Sequence, residues 1–460
     1  MRAVAAGPTI DAMLTDVPVL VVGAGPAGLA AAIELARHGV AVQLVERRRR
    51  LSSHPRATVL SLRSMEIVRS WGLEEDVRAR SVDDVDWRML DAETLAAVAA
   101  GTPLEVGYPS PEQSRMVSPT TPACIAQDDV EPLLLEHLRA AGGRIALGTE
   151  LTSIVETGDG AVARLRDVRT GAARAVRARY VVAADGARST LRRALGIALV
   201  GPDELMAGFT TLFRAPLWDV VGRHRHVIYS VPGGAFLPAG RSDRWLIGHP
   251  GERAAPPDAR AVAELIRLRA GVPDLPVRVE RSRYFSAAAQ LAETWRHGCV
   301  FLAGDAAHRV TPRGGTGLNL AFHDGYDLGW KLAWVLRGWA PAGLLDTYER
   351  DRRPVVEYTA ARSADPNGSL RPPETEVRAD LGGRIAHAWT GGRSTLDLLA
   401  PGLTLFFSRD RPDPPIPRTG IPVTRRPLDP IAARALGAPM VARSDGTPFK
   451  CAPLPVDATR

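Results

Sequence analysis

The stretch Val17-Pro-Val-Leu-Val-Val-Gly23-Ala-Gly25-Pro-Ala-Gly28 decides how the first part of the chain folds. It begins as a short apolar run, typical of a buried parallel strand, and an Ala- and Leu-rich helical pattern follows. Gly23 permits a tight turn, Gly25 lets the backbone approach a pyrophosphate, and Gly28 lets helix and strand pack closely. Because the helix N-terminus offers free N–H groups to phosphates, the stretch predicts a dinucleotide-binding βαβ unit.

A second predicted strand, residues 40–45, ends at Glu46, which lies 18 positions after Gly28. A carboxylate at this place can accept hydrogen bonds from an adenosine ribose. The less favoured alternative is a glycine-rich turn beside an incidental surface glutamate. By itself the motif does not separate FAD from NAD.

Two further strand-and-turn motifs follow. The first is Tyr180-Val-Val-Ala-Ala-Asp185-Gly186-Ala-Arg-Ser-Thr-Leu-Arg192, a strand that ends in Asp-Gly. The second is Val300-Phe-Leu-Ala-Gly304-Asp305-Ala-Ala-His308, a strand that ends in Gly-Asp. Downstream, Thr311-Pro-Arg-Gly-Gly-Thr-Gly-Leu-Asn319 leads into a long predicted helix that ends near residue 337.

At these residues the chain resembles the flavoprotein aromatic hydroxylases typified by para-hydroxybenzoate hydroxylase. The family carries G-x-G-x-x-G, D-G-x-x-S-x-x-R and G-D-A-A-H in this order, and all three are present. The chain looks closest to the branch that hydroxylates phenols and aromatic polyketides in actinomycetes. The resemblance spans most of residues 17–365, and its motifs are specific for the family but not for a substrate.

The resemblance implies bound FAD and an NADPH or NADH co-substrate. Within His54-Pro-Arg56-Ala, Arg56 resembles the arginine that approaches the flavin and pyrophosphate. In Gln127-x-x-x-Glu131 the glutamine resembles a contact to the ribityl region. The motif that holds Asp185 and Arg192 also serves NAD(P)H in the family. The predicted cofactor-binding residues are Gly23, Gly25, Ala27, Gly28, Glu46, Arg47, Arg56, Gln127, Asp185, Gly186, Arg192, Gly304, Asp305, Gly315, Gly317, Leu318 and Asn319.

Elementary chemistry agrees with these roles. Asp305 can bond a ribityl hydroxyl or order water at the pyrophosphate, and the glycine loop before Asn319 admits a flat ring. The N–H groups that open the following helix can stabilise negative charge at the N1/C2=O edge of reduced flavin. His308 is available as a general base, but its place inside the fingerprint favours a structural role.

The glycine loop departs from the family pattern Pro-Pro-x-Gly-Gly-Gln-Gly-Met-Asn at two positions that matter. Thr311 replaces the first proline and Thr316 replaces the glutamine. Since Pro312, the glycines and Asn319 remain, we expect FAD binding to survive. The two changes are expected to alter the pocket on the substrate side of the ring.

The first motif and the resemblance imply an α/β fold with a Rossmann-like FAD-binding domain and a small C-terminal thioredoxin-like domain. Between about residues 199 and 291, short strand patterns broken by Pro and Gly, with one helix near residues 259–270, predict an inserted and mostly antiparallel β-sheet substrate domain. The C-terminal domain resembles its family counterpart at Arg384-Ile-Ala-His387-Ala-Trp389 and lacks a Cys-x-x-Cys, so dithiol chemistry is excluded and packing or oligomerisation is expected. The predicted bounds are 17–80, 115–198 and 293–370 for the FAD-binding domain, 81–114 and 199–292 for the substrate domain, and 371–460 for the C-terminal domain.

Composition narrows the functional classes. The chain has 45% hydrophobic and 24% charged residues, as is ordinary for a soluble globular protein, and no apolar run long enough to span a bilayer. Its three widely spaced cysteines fit a reduced cytoplasmic protein with neither a disulfide framework nor a zinc site, and no metal is expected. The net charge of +7 comes from scattered arginines without an aromatic-rich basic motif. Attraction of anionic NAD(P)H or an acidic substrate is therefore favoured over nucleic-acid binding.

The function that the resemblance implies is monooxygenation: NAD(P)H reduces FAD, O2 forms a C4a-hydroperoxyflavin, and an oxygen atom passes to an electron-rich aromatic ring. Baeyer–Villiger oxygenation or epoxidation is the alternative within the branch, and a catalytically silent flavin-binding protein is the alternative of another class. A halogenase is disfavoured because Trp-x-Trp-x-Ile-Pro is missing. We expect an aromatic small-molecule substrate and a homodimer as the candidate assembly. The sequence indicates no catalytic residue, and the candidate pocket residues are Phe213, Tyr229, Phe236 and Pro312.

Overall fold

The computed structural model describes residues 14–251, 258–416 and 419–449. The α-helices within these residues are α1 (Pro26–Arg37), α2 (Leu62–Ser70), α3 (Glu74–Arg80), α4 (Pro111–Val117), α5 (Gln127–Ala140), α6 (Thr190–Ala194), α7 (Leu217–Val221), α8 (Ala259–Ala270), α9 (Gly317–Leu336), α10 (Thr347–Ala364), α11 (Pro373–Leu381) and α12 (Pro430–Leu436).

The strands up to the second domain are β1 (Leu14–Val22), β2 (Val42–Glu46), β3 (Val59–Leu60), β4 (Asp86–Asp91), β5 (Thr102–Leu104), β6 (Ala123–Cys124), β7 (Arg144–Leu147), β8 (Thr149–Thr157), β9 (Gly160–Asp167) and β10 (Ala173–Ala183). The later strands are β11 (Leu199–Val200), β12 (Met206–Arg214), β13 (His226–Val231), β14 (Gly234–Pro238), β15 (Arg244–Pro250), β16 (Arg278–Ala287), β17 (Gln290–Ala292), β18 (Arg296–His297), β19 (Val300–Leu302), β20 (His308–Arg309), β21 (Trp389–Thr390), β22 (Arg393–Ser394), β23 (Leu403–Ser408), β24 (Val423–Leu428) and β25 (Met440–Ala442).

The apolar strands of the three motifs lie side by side in one sheet of order β18-β19-β10-β1-β2-β7. β1 pairs in parallel with β2 and β10, and β10 pairs in parallel with β19. β8 and β9 form an antiparallel extension on β10. Because parallel strands end at the same edge of a sheet, the turns that follow β1, β10 and β19 meet at one edge.

Glycines bring two long helices together on this sheet. A Cβ atom on Gly325 of α9 would lie 2.0 Å from the backbone oxygen of Ala27, and one on Gly329 would lie 2.7 Å from the Cβ of Glu34. α9 therefore packs against α1 at a distance that no larger residue permits at these two positions. This contact fixes the start of α9 relative to the glycine turn that opens α1.

The second sheet has the order β16-β12-β15-β14-β13-β4-β5. Its neighbours are antiparallel except for β13 and β4, which are parallel. Helix α8, predicted near residues 259–270, packs on one face through Val262 and Ile266. The α/β fold with an inserted, mostly antiparallel sheet is the one that the sequence predicted.

The chain continues into a small third layer after α11. β23, buried along its whole length, pairs in parallel with β24 and antiparallel with β25, and α12 covers this sheet. Two ion pairs attach this layer to α2. Arg384 of the layer pairs with Glu66 of α2, and Asp397 of the layer pairs with Arg69 of α2. Cys451 and the end of the predicted C-terminal domain lie outside the described residues.

The part of the chain that the structure describes contains neither a membrane-spanning helix nor a metal-binding cluster. None of its helices combines the length and the apolar character needed to cross a membrane. Within the same residues, His, Cys, Asp and Glu side chains do not form a cluster of three that could hold a metal ion.

Candidate cofactor-binding site

The three glycines of the turn after β1 have different structural roles. Gly23 has a φ of +112°, and a Cβ atom there would lie 2.1 Å from the backbone oxygen of Ala184. A Cβ atom on Gly28 would lie 2.0 Å from the backbone oxygen of Gly23. On Gly25, at φ −82°, a Cβ atom would have no neighbour within 4 Å. Gly23 and Gly28 are thus needed by the fold, whereas Gly25 keeps a cleft open.

This cleft, of about 200 Å³, runs along the edge where the parallel strands end. Its walls are the glycine turn, the segment that follows β2, the turn after β10 and the side chain of Glu131. The lining residues include Gly23, Gly25, Glu46, Arg47, Arg48, Arg50, Ser52, Arg56, Glu131, Asp185, Gly186 and Arg188. Backbone N–H groups, arginines and acceptor carboxylates in this arrangement fit the adenosine and pyrophosphate half of FAD.

The hydrogen bonds of Asp185 show whether this cleft suits a bound ligand. Its Oδ2 atom accepts hydrogen bonds from the backbone N–H groups of Thr190 (2.7 Å) and Leu191 (3.1 Å) at the start of α6. Its Oδ1 atom is buried without a protein partner. Buried acceptors in native proteins are nearly always paired, so this atom fits a donor from a bound ligand, such as a hydroxyl.

Glu46 is held in the cleft by two backbone groups. Its Oε2 atom accepts from the N–H of Ala24 (3.1 Å) and its Oε1 atom accepts from the N–H of Arg48 (2.8 Å). The carboxylate is therefore fixed at the end of β2 next to the glycine turn, where the sequence predicts the ribose.

We expect Glu46→Ala to weaken FAD binding by roughly 10- to 150-fold, since a hydrogen bond to a charged group contributes about 1.5–3 kcal/mol. Fluorescence titration of the apoprotein with FAD measures the change. Glu136→Ala is the control, because Glu136 is exposed on the same FAD-domain helix as Glu131. An unchanged dissociation constant for Glu46→Ala would place the ribose elsewhere.

Arg56 and Asp305 join two of the predicted motifs. The Nη1 atom of Arg56 lies 3.3 Å from Oδ2 of Asp305, and the side chains are 61% and 40% exposed. At this exposure the pair adds little stability, and both groups stay available to a ligand. Gly304, with φ +61°, lets the turn approach α1, since a Cβ atom there would lie 3.0 Å from the Cβ of Ala27.

The predicted pair on α5 is present as a direct hydrogen bond. Nε2 of Gln127 donates to Oε1 of Glu131 over 2.6 Å. Glu131 is only 4% exposed, and burial raises the pKa of its carboxyl to about 7, against the opposing effects of Gln127 and Arg56. A buried carboxyl that titrates near neutral pH thus lines the cofactor cleft.

This carboxyl predicts that FAD binding depends on pH. The anionic pyrophosphate disfavours an ionised Glu131, so FAD binds the protonated form better and its affinity falls as the pH rises through 7. The loss is at most about tenfold per pH unit. Titrations between pH 6 and 8.5 measure it, and Glu131→Gln, which cannot ionise, is expected to flatten the profile. A parent profile as flat as that of the variant would contradict the prediction.

Arg192 lies in the second motif but does not face the cleft. Its guanidinium is buried and donates to the backbone oxygens of Ala306 (3.0 Å) and Ala187 (3.2 Å). It therefore ties the turn after β10 to the turn after β19. These two bonds give the side chain a structural role, and its part in NAD(P)H binding stays a prediction.

His308 is also structural. Its Nε2 atom lies 2.6 Å from Oδ2 of Asp324, whose other oxygen accepts from Nε of Arg352 (2.9 Å). Asp324 also accepts from the N–H of Gly304 (3.1 Å). Arg352 and His308 hold the pKa of Asp324 below its usual value although burial opposes them. This buried group anchors the Gly-Asp turn to α9.

Asn319 is the centre of a network that the motif alone does not show. Its Oδ1 atom accepts from the backbone N–H of Ser61 (2.9 Å) and the hydroxyl of Ser64 (2.8 Å). Its Nδ2 atom donates to the backbone oxygens of Val59 (3.3 Å) and Gly315 (3.3 Å). The start of α9, with Gly317 and Leu318, is thereby joined to the start of α2. Gly315, at φ +64°, closes the loop before it.

The two departures from the family pattern have partners on α10. The hydroxyl of Thr311 donates to the backbone oxygen of Ser363 (2.6 Å), and the hydroxyl of Thr316 accepts from Nη2 of Arg362 (3.2 Å). Pro312 between them is exposed. The loop of residues 311–317, which we call the flavin loop, is thus held by the end of α10.

The three aromatic candidates for the substrate pocket lie in an apolar core. Phe213, Tyr229 and Phe236 are at most 1% exposed and pack with Val262 and Ile266 of α8. The Tyr229 hydroxyl is used within its own segment, since it donates to the backbone oxygen of His224 (2.9 Å). These rings form the core between the second sheet and α8, and the expectation that they line the pocket has to be corrected.

The opposite face of the second sheet meets the FAD-binding domain. Leu212 and Leu246 pack against Ala126, which precedes α5. The hydroxyl of Thr210 lies 3.0 Å from Nε2 of His54. His54 is buried, and burial, followed by neighbouring arginines, lowers its pKa to about 4, so the imidazole is neutral at physiological pH.

Small and half-buried residues continue this face. Gly248 pairs with Thr210 and with Ala235, so all three lie on the same side of the sheet. A Cβ atom on Gly248 would have no neighbour within 4 Å. The side of the sheet that faces the FAD-binding domain therefore has an open strip. Strand alternation is the signal that could have located it.

A family model described as an FAD binding domain matches residues 16–363 of this chain. The chain belongs to the FAD-binding aromatic hydroxylase family. A polyketide hydroxylase of Streptomyces halstedii, assigned as putative, is 40% identical over 79% of the chain. The chain spans 66% of that relative's own length.

Two other members of the family match over more of their length. A tetracenomycin B2 monooxygenase-dioxygenase of Streptomyces olivaceus is 34% identical over 96% of the chain and 87% of its own length. Among solved structures, the ternary complex of aklavinone-11 hydroxylase with FAD and aklavinone has a TM-score of 0.81 and 30% identity, covering 94% of both chains. The family membership agrees with the motif order and with the cleft described above.

Proposed function

We propose that this protein is an FAD-dependent monooxygenase that uses NADPH or NADH and O2 to hydroxylate a flat, fused-ring phenol of the polyketide type. The open strip at Thr210, Ala235 and Gly248 carries the proposal, because it leaves room for a planar ring on the side of the second sheet that meets the FAD-binding domain. The relative from Streptomyces halstedii is named as a polyketide hydroxylase, and the solved aklavinone-11 hydroxylase holds FAD and aklavinone.

Bound FAD supplies the redox and oxygen-activating chemistry, and the chain supplies position and surroundings. The glycine turn, Glu46 and Asp185 would hold the adenosine and pyrophosphate half. The N–H groups at the start of α9 would stabilise negative charge on the ring, and the two domains would limit the access of water to the substrate. Neutral His54, bonded to Thr210, is a hydrogen-bonding group at the boundary of the substrate strip.

A second cleft, of about 620 Å³, offers a place for the anionic co-substrate. It lies between the segment after β2 and the outer strands of the second sheet, and Ser53 forms part of its wall. Five arginines and three carboxylates line it. Asp128 and Glu280 pair with Arg244 and Arg214, and Asp129 lies 3.8 Å from Arg244. Arg281 has only Ser53 as a side-chain partner among the described residues (3.3 Å), so this cleft retains positive charge for a phosphate.

A product screen tests the proposed function. The purified holoprotein is incubated in air with NADPH or NADH and candidate aromatic polyketides. The products are then separated, and their masses are measured by mass spectrometry. We expect oxidation of the nicotinamide cofactor to accelerate with an accepted phenol and one oxygen atom to be added to its ring. Recovery of FAD without stimulation by any phenol would support the silent flavin-binding protein instead.

A further inference from the structure

Two arginines contact the flavin loop: Arg362, near the end of α10, and Arg371, which precedes α11. Nη2 of Arg371 donates to the backbone oxygen of Gly314 (3.1 Å). Arg362 donates to Thr316 through Nη2, and through Nη1 to the backbone oxygen of Gly368 (2.7 Å). The two guanidinium groups therefore approach the loop from α10 and from the segment before α11.

Glycines make this approach close. A Cβ atom on Gly314 would lie 2.4 Å from Nη1 of Arg371 and 2.5 Å from Nη1 of Arg362. A Cβ atom on Gly107 would lie 2.4 Å from Nε of Arg371. The Arg371 side chain is thus packed between two glycines, and both have positive φ angles. A larger residue at Gly107 or Gly314 would displace the Arg371 side chain.

The charges around the two arginines do not balance. Arg371 and Arg362 share one carboxylate, that of Glu376, with N–O distances of 2.9 and 3.6 Å. The side chains of Arg362, Arg371 and Glu376 are 11%, 8% and 12% exposed. Burial and the neighbouring Arg371 lower the pKa of Arg362, which still stays protonated as an arginine. The three groups together carry one positive charge.

Other titratable groups on the neighbouring elements do not cancel this charge. Tyr108 donates to the backbone oxygens of Gly314 (3.3 Å) and Gly315 (3.4 Å), and burial raises its pKa to about 12, so it is neutral. Asp380 accepts from Ser61 and from the N–H of Arg63, and burial raises its pKa to about 6, so it is mostly ionised at neutral pH. Its negative charge is offset by Arg313 of the flavin loop, which donates through Nη1 to the backbone oxygens of Ser363 (3.2 Å) and Ala364 (3.2 Å). Arg352 is paired with Asp324. His323 is neutral because burial holds its pKa well below the usual value.

We propose that Arg362 and Arg371 are positioning residues for the flavin ring, which fix the flavin loop and place a buried positive charge behind it. They hold the loop at Gly314 and at Thr316, the second of the two positions at which this chain departs from the family pattern. Negative charge on the N1/C2=O edge of reduced FAD is stabilised by such a charge, so reduction becomes more favourable. The inference rests on the proposed role of the loop toward FAD.

The midpoint potential of bound FAD tests this role without depending on turnover. Spectroelectrochemical titration of the holoprotein is expected to give a lower potential for Arg371→Gln, which removes a positive charge. Glu376→Gln removes the negative charge of the same cluster and is expected to raise the potential. Arg371→Lys keeps the charge and is expected to stay near the parent. Arg378→Gln, on the exposed side of α11, is the control and should not change it.

Opposite shifts in the two charge variants distinguish an electrostatic role from simple damage, which would act in one direction. Shifts of the same sign, or no shift in variants that retain one FAD per chain, would overturn the inference while leaving the proposed function intact. Failure of the parent protein to bind FAD would overturn both. If Arg371→Gln does not fold, the rise expected for Glu376→Gln still tests the sign, and Arg371→Lys tests whether the charge alone is sufficient.

Discussion

Gly25→Val is expected to give a normally folded chain that binds FAD roughly 1000-fold more weakly than the parent. The backbone of Gly25, at φ −82° and ψ −176°, suits a β-branched residue, and its added side chain points into open space. That space is the part of the cleft nearest the start of α1, where we place the pyrophosphate. Loss of two charge-assisted phosphate contacts costs about 4 kcal/mol, which is about 1000-fold in affinity. Calorimetric titration with FAD measures the effect.

Gly28→Ala is the contrasting variant. Its Cβ atom would lie 2.0 Å from a backbone oxygen, so the turn itself must shift and the melting temperature of the apoprotein should fall together with FAD binding. For Gly25→Val the melting temperature of the apoprotein should match the parent. FAD binding of parental strength in Gly25→Val would show that the phosphates do not pass this glycine.

Gly248→Leu is expected to abolish the stimulation of NAD(P)H oxidation by a phenolic substrate while leaving FAD content unchanged. The new side chain fills the open strip between Thr210 and Ala235, on the side of the sheet that meets the FAD-binding domain. A flat ring and a leucine cannot occupy the same space, and a displaced ring is not oxygenated efficiently. Substrate-dependent oxygen uptake is the measurement.

Phe236→Leu on the other face of the sheet is the matched control. It removes part of a ring that packs against α8, so we expect a loss of about 1–2 kcal/mol in unfolding free energy and unchanged coupling. If Phe236→Leu uncoupled the reaction and Gly248→Leu did not, the substrate would lie on the α8 side after all.

Much of the cofactor half could be predicted because its information is local. A buried strand, a glycine turn and a helix are adjacent in sequence, so the tasks of Gly23, Gly25 and Gly28 follow from their spacing. The bounds of α8 and α9 could be predicted for the same reason, since each is a continuous amphipathic or apolar segment. Family resemblance then added the order of the three motifs.

The substrate pocket was harder to predict, because its position depends on which face of the second sheet is covered by α8. Aromatic residues at alternate positions of the second sheet define one face, but the sequence does not say whether α8 or the flavin lies on it. The amphipathic pattern of α8, with Val262 and Ile266 on one side, was the available hint, because such a helix must cover an apolar surface.

Contacts between distant segments could not be predicted at all. The bond from Asn319 to Ser64 spans 255 positions, and Arg371 reaches Gly314 across 57. Each of these side chains has several plausible partners in sequence, and only the packing of α2, α9 and α10 selects one. The roles of His54 and Arg371 therefore emerged from the folded chain alone.

The order of segments around the cofactor cleft has a consequence for synthesis of the protein. Every residue that lines the adenosine cleft lies at or before position 190, whereas the flavin loop and its arginines lie between 311 and 371. The strands of the second sheet, from β12 to β16, leave the ribosome between these two groups. A nascent chain can therefore form the adenosine cleft before the flavin loop has been synthesised. The complete FAD site forms only after the flavin loop packs against the earlier segments.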